Sequence, residues 1–459
     1  MAASSAETRV YLFHLPAELY RKIASYLRKD SLKNLRATCS ALNKITPFII
    51  DRVFISANSL NLQVFRAIAD SETFRHNVTE IIWDDARLPE ETEDEIERTR
   101  FQYIGDEDRT FQARRQDSTH PGFRFRGSSK CLVHNNLSVE ESWDYYYALL
   151  QDQIQILATA ADIEAFKHGI RRFPNLKRVT VTPSTHGNIG QPMYQTPMIR
   201  AFPPRFDYPL PREWPYARED HVLGAYAWIP DESDDPQETE EFEWMYQVGP
   251  EDYREKWRGV RTVLRMLAEH SWGHNITEFI IGGTEIASGL NCRLFDQSCR
   301  EYDDLVIMLQ RPGFSRLDLD LFTGVNEYGN WKSFRSGLLF EALSEAKDLR
   351  HITLHTTTDI VNGKMVHLTP NGLPGFWPFP LQTVFPISCW PKLEHFGISN
   401  ILVTQEDLLS FLAALPYCTR SIELSNLAWA DETKEDDEAE EDEGGDYHSL
   451  LNEIRTRLD

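Results

Sequence analysis

The sequence predicts an α/β protein: a three-helix module over residues 1–56, then an irregular solenoid of helix–strand units whose strands run parallel. Three observations predict it. Apolar residues recur at helical spacing between Val10 and Ser56. The string His76-Asn77-Val78-Thr79-Glu80-Ile81-Ile82-Trp83-Asp84 returns almost unchanged as His274-Asn275-Ile276-Thr277-Glu278-Phe279-Ile280-Ile281-Gly282, and self-similarity of this kind marks repeated structural units. Segments with a helical apolar period separate the copies, and a helix–strand unit buries its apolar face by stacking on its neighbours.

At the N-terminus, Pro16 suits the first position of a helix, where a missing N–H costs nothing. Leu19, Ile23 and Leu27 follow at a spacing of four, one stripe on a helix. Lys29-Asp30-Ser31 breaks the pattern, and Asp30 or Ser31 suits the cap of the next helix. Leu32, Leu35, Cys39 and Leu42 form a second stripe. Pro47 is expected to open a third helical turn carrying Phe48, Ile49 and Ile50. Two short helices cannot bury this much apolar surface between themselves, and so small a unit is marginal alone. The excess calls for a partner, either the rest of the chain or another protein.

The pattern Leu15-Pro16-x-Glu18-Leu19, then Ile23, Leu27, Asp30, Leu32, Leu35, Arg36, Cys39, Leu42 and Arg52-Val53, resembles an F-box. The resemblance covers only the first 56 of 459 residues. It implies binding to the Skp adaptor of Skp–cullin–F-box ubiquitin ligases and, through it, to a cullin. By the same resemblance Leu15, Pro16, Leu19, Ile23, Leu27, Leu32, Leu35, Arg36, Cys39 and Leu42 supply the docking surface and the small core beneath it. An ordinary helical hairpin packed on its own domain is the alternative reading of these residues.

The body, residues 57–430, opens with a helix over Leu60–Ala69. Relaxed copies of the strand string lie at Phe173–Val181, Phe314–Leu321, Leu349–His355, Pro391–Asn400 and Thr419–Leu427, each alternating apolar and polar residues. Helices are expected over Ile154–Arg172, Tyr253–His270, Leu338–Ala346 and Thr404–Leu415, the last with Glu406 and Asp407 in its first turn, as the helix dipole favours. Leu349-x-x-Ile352-x-Leu354 and Leu393-x-x-Phe396-x-Ile398 resemble the L-x-x-L-x-L core of leucine-rich repeats. The later strands recur every 25 to 45 residues, roughly, and the first three about a hundred residues apart, looser than that family's period. Repeat number and the completeness of the arc stay open, and an ordinary α/β domain with a parallel sheet fits the same pattern.

Long insertions separate the units. Residues 90–129 are charged. Residues 183–250 are rich in Pro, Tyr and Trp, as in Phe202-Pro203-Pro204 and Trp214-Pro215-Tyr216, and are expected to pack on the body as ordered irregular loop. Residues 363–390 form a second Pro/aromatic insertion. Such loops are often functional. Residues 431–446 are nearly all acidic and are expected to be disordered by self-repulsion, serving solubility or a basic partner. Residues 447–459 return to a helical pattern that would cap the last strand.

The formal charge of -23 argues against non-specific binding to nucleic acid or anionic membrane, which needs Lys and Arg to neutralise phosphate. It leaves room for a basic protein partner. No run of 18 apolar residues and no secretory leader is present, so a cytoplasmic or nuclear location is expected. The six cysteines are scattered and read as reduced thiols. The motifs at Asn77, Asn136 and Asn275 match glycosylation acceptors by chance on this reading. No phosphate-cradling glycine loop, GxSxG or HExxH occurs. Cys131 with His134, His270 with His274, and His351 with His355 are pairs lacking a third zinc ligand. The expectation is therefore a non-enzyme with no cofactor: the substrate-recognition subunit of the ligase, holding an unknown protein target on the concave strand face and the aromatic insertions. Its rivals are a scaffold that binds the adaptor without ubiquitin transfer, and an enzyme whose N-terminal helices are incidental.

Overall fold

The structure is a computed structural model that describes residues 12, 15–88, 137–187, 191–206, 208, 210–211, 213–215, 225–230, 249–269, 273–323, 331–357, 377–429 and 447–457. The segments 90–129 and 431–446, and parts of 183–250 and 363–390, lie outside the described residues, as do Cys131, His134 and His270.

Three short helices begin the chain: α1 (Ala17–Ser25), α2 (Lys29–Thr38) and α3 (Ser40–Ile45). Their ends depart from expectation in three places. Pro16 is the N-cap of α1, one residue before the first helical position. α2 already starts at Lys29 with Arg28 in the N-cap position, so positions 30 and 31 fall inside the helix. The third helix precedes Pro47 instead of following it. Cys39 leaves the helical region (φ -160, ψ 162) and divides the second apolar stripe between two helices, its Sγ accepting the Leu42 N–H at 3.5 Å. Thr46 is extended, as a residue before proline is pushed to be, so the helix stops at Ile45 and residues 47–50 run on without regular structure.

The body alternates strand and helix. β1 (Arg52–Ile55) leads to α4 (Ser59–Asp70), then β2 (Glu80–Asp84). α5 (Val139–Thr159) and α6 (Ala161–Arg172) precede β3 (Arg178–Thr182). The helix expected over Ile154–Arg172 is thus two, broken where Ala160 adopts the left-handed conformation (φ 50). α7 (Pro197–Arg200), α8 (Pro250–Glu255) and α9 (Arg258–Ala268) lead to β4 (Glu278–Ile281) and the short β5 (Leu290–Asn291). α10 (Arg300–Leu309) precedes β6 (Arg316–Phe322), and α11 (Lys332–Arg335) with α12 (Leu338–Ser344) precedes β7 (His351–Thr356). α13 (Leu381–Val384), β8 (His395–Ser399), β9 (Leu402–Val403), α14 (Gln405–Ala413), β10 (Ser421–Ser425), β11 (Ala428–Trp429) and α15 (Tyr447–Arg457) complete the order.

The fold is α/β with a parallel sheet. Its strands pair in the order β1-β2-β3-β4-β6-β7-β8-β10, following the chain, with β5 beside β6 and a separate pair of β9 and β11. Each step repeats one device at the strand start. A single carbonyl accepts two successive N–H groups of the next strand: Asp51 from Thr79 and Glu80, Thr79 from Lys177 and Arg178, Lys177 from Thr277 and Glu278, Thr277 from Ser315 and Arg316. Ser315, Arg350 and Glu394 continue the series to Ser421.

Register then fixes which side chains share a face, because successive residues of a strand point to opposite faces. Val53, Ile81, Val179, Phe279, Leu317, Ile352 and Phe396 align in one buried row. Ile55, Trp83, Val181, Ile281, Leu319, Leu354 and Ile398 form a second. Both rows join the helices in one continuous core, each large apolar side chain contributing about 1.5–3 kcal/mol by burial. The N-terminal helices keep a core of their own, Tyr20, Ala24, Leu32 and Leu42.

Candidate functional site

Two surfaces stand out, one on the N-terminal helices and one on the polar face of the sheet. On α1 the residues Tyr20 and Ala24 point inward, 3% and 2% exposed. The offset stripe does not: Leu19 is 51%, Ile23 41% and Leu27 37% exposed, with Tyr26 beside them at 79%. Two apolar stripes at a spacing of four therefore run along α1 and its end, and among the described residues only one is buried. Clustered exposed apolar side chains of this kind mark interaction sites.

The residues named from the sequence divide accordingly. Leu32 and Leu42 are buried beneath α1, with Leu15 and Leu35 packed against them. Pro16 is exposed at the cap of α1, and Cys39 is an exposed cap rather than a contact of the small core. Arg36 acts as a brace: its guanidinium donates to the Thr46 carbonyl at 2.6 Å and lies 5.3 Å from the Phe48 ring centre. The Tyr20 hydroxyl bonds the Thr46 hydroxyl, fastening α1 to the same point. Tyr26, Ile45, Phe48 and Ile49, exposed here, were not singled out from the sequence as surface residues. The extended run after Pro47 puts two of them on the outside.

On the polar face a ladder of charges crosses the strands. Arg52 meets Glu80 at 2.7 Å, and Glu80 accepts from Thr180 at 3.0 Å. Arg178 meets Glu278 at 2.5 Å. Arg316 bonds Asp318 at 2.6 Å, His351 Nε2 lies 3.1 Å from the same carboxylate, and the His351 ring stacks on His395 at 4.0 Å. His395 Nδ1 is 3.0 Å from the Ser421 hydroxyl. Burial alone would raise the Asp318 carboxyl, but the bonds from His351 and Arg316 outweigh it and hold the group below the usual carboxylate range. Burial, then the neighbouring His351, push His395 below the ordinary histidine value. Among the described residues no three His, Cys, Asp or Glu side chains gather as metal ligands.

Two tryptophans of the aromatic insertion 183–250, which was expected to take part in recognition, are turned inward. Trp214 and Trp228 are 0% and 1% exposed. The Trp214 indole donates to Asp85 at 2.9 Å and Trp228 to Glu301 at 3.3 Å. An indole N–H that finds a carboxylate inside the fold is pinned there, so these rings serve the body and not a partner. Among the described residues no helix is long and apolar enough to cross a membrane. No protein-family model matches the chain, and no curated protein matches it.

Proposed function

We propose that the chain is the substrate receptor of a Skp–cullin–F-box ubiquitin ligase. On this reading α1–α3 are an F-box that docks the Skp adaptor, and the body is an irregular leucine-rich-repeat solenoid that holds a protein target on its polar strand face. The observation that carries it is the outward stripe of Leu19, Ile23 and Leu27 on a module whose own core is already filled by Tyr20, Ala24, Leu32 and Leu42. A strand order that follows the chain favours the solenoid. The contribution to catalysis is proximity: a target held beside a ubiquitin-charged enzyme reacts as in a local encounter.

The test is co-purification of Leu19→Glu with Ile23→Glu. Both side chains are exposed, so thermal unfolding should match the parent. Capture of the Skp adaptor should fall by at least about tenfold, or 1.4 kcal/mol. Undiminished capture overturns the assignment. Capture of the adaptor without a cullin moves the reading to a scaffold that does not transfer ubiquitin.

A further inference from the structure

β1 is the first strand of the sheet and, among the described residues, pairs only with β2. The Asp51 carbonyl points at β2, where it accepts from Thr79 and Glu80. Backbone groups of a strand face alternate sides, so those of Arg52 and Phe54 point away from β2, with no strand of the described residues beside them. A groove of about 390 Å³ runs along this free edge, bounded by residues 47–50, by Val64 and Ile68 of α4, and by the segment from Met193 to Arg200. Phe48, Ile49 and Met193 in its wall are 45%, 44% and 43% exposed.

The charge of the groove is opposite to that of the chain. Lys33, Arg36, Arg52 and Arg200 line it, against one carboxylate, Asp51, in a protein of net charge -23. Arg52 is engaged by Glu80 and lies over the Tyr194 ring. Arg36 is bonded to a neutral carbonyl. Lys33 and Arg200 have no carboxylate partner among the described residues. An open strand edge supplies main-chain hydrogen bonds to an added strand, and unneutralised cations beside apolar wall select acidic residues in it.

We propose that this groove binds an extended acidic peptide segment of a partner protein, which adds to β1 as a new edge strand and sets its carboxylates against Lys33 and Arg200. β1 spans four residues, so pairing covers about 13 Å at roughly 3.3 Å per residue. The groove takes Leu32, Lys33 and Arg36 from α2 and so adjoins the adaptor-docking module, but the outward stripe of Leu19, Ile23 and Leu27 does not line it.

Fluorescence anisotropy on the full chain tests it, with labelled peptides of alternating Val and Glu or alternating Val and Lys. The acidic peptide should bind and the basic one should not. Lys33→Glu with Arg200→Glu should weaken binding by at least about tenfold with an unchanged circular dichroism spectrum. N-methylation of alternate peptide residues should weaken binding in one register and spare it in the other, as strand addition requires. Absent binding, equal binding of the basic peptide, indifference to the charge reversal or indifference to N-methyl register each overturns the proposal. So does a variant lacking residues 90–129 that binds about tenfold tighter, which makes the chain itself the occupant. Self-association abolished by the same charge reversal assigns the groove to a second copy and overturns it likewise.

Discussion

Asp84 closes β2 with its carboxyl fully inside the protein. Oδ1 accepts the Ala86 N–H at 3.1 Å, while Oδ2 meets no hydrogen-bond geometry among the described residues. Burial raises the group from 3.8 to about 7, opposed by the nearby Thr185 hydroxyl and the Ala86 N–H and assisted by the charge of Asp85. Asp85 is raised less, to about 6, because Arg87, the Trp214 indole and the Gly259 N–H oppose its burial. An acid whose folded value is raised binds its proton in the folded chain where the unfolded chain has lost it. Stability is therefore undiminished below the unfolded value and falls as pH climbs from about 4 to about 7. At about 1.4 kcal/mol per unit the cost reaches on the order of 4 kcal/mol. Asp84→Asn keeps the acceptor for Ala86 and cannot ionise. The variant should unfold at higher urea than the parent at pH 8, with the gap closing toward pH 4. A gap that ignores pH would mean that Asp84 is not titrating in the fold.

At the scale of the element, β7 and β8 are joined across the polar face by the parallel rings of His351 and His395. Burial opposes protonation of His395 first, and a charge on His351 stacked at 4.0 Å adds to that cost. The His395 ring should therefore titrate below its ordinary 6.5 in an NMR pH series, moving back toward that value in His351→Gln. An unmoved midpoint would show that the stack carries no electrostatic cost. Strands such as Arg316–Phe322 were legible in the sequence because strict alternation of Leu317, Leu319 and Leu321 with polar residues marks a strand, although the alternation suggests a half-buried one and Asp318 and Asp320 are buried too. Register followed the repeat as well: Glu80 and Glu278 hold the same place in the two strings, and both align with Arg178. Helix ends failed where backbone conformation decides: Cys39 and Ala160 each break a helix although their neighbours continue the apolar period. On α1 the outward stripe was legible only as half of an ambiguity. Leu19 and Ile23, or Tyr20 and Ala24, recur equally at four, and only packing against Leu32 and Leu42 tells which pair is left outside.

For the whole molecule, a sheet built in chain order makes each unit depend mainly on the units beside it. The two ends then decide how the rest holds. At the start, the α1–α3 core does not merge with the body core. At the finish, β10 pairs among the described residues only with β8, its Ile422 is 44% exposed, and α15 packs against α14. Leu450 of α15 is 1% exposed within the main core, Ile454 packs against that core, and the Tyr447 hydroxyl accepts the Leu427 N–H at 2.9 Å. Leu450→Ala should cost about 2–5 kcal/mol, as a buried leucine does when a cavity replaces it. In a stack of neighbour-dependent units that loss stays near the end where it arises. Hydrogen exchange should show amides of residues 402–429 losing protection while strands β2 to β6 keep theirs. Equal loss along the chain would mean that the sheet unfolds as a single cooperative body, and that chain-order pairing does not isolate its ends.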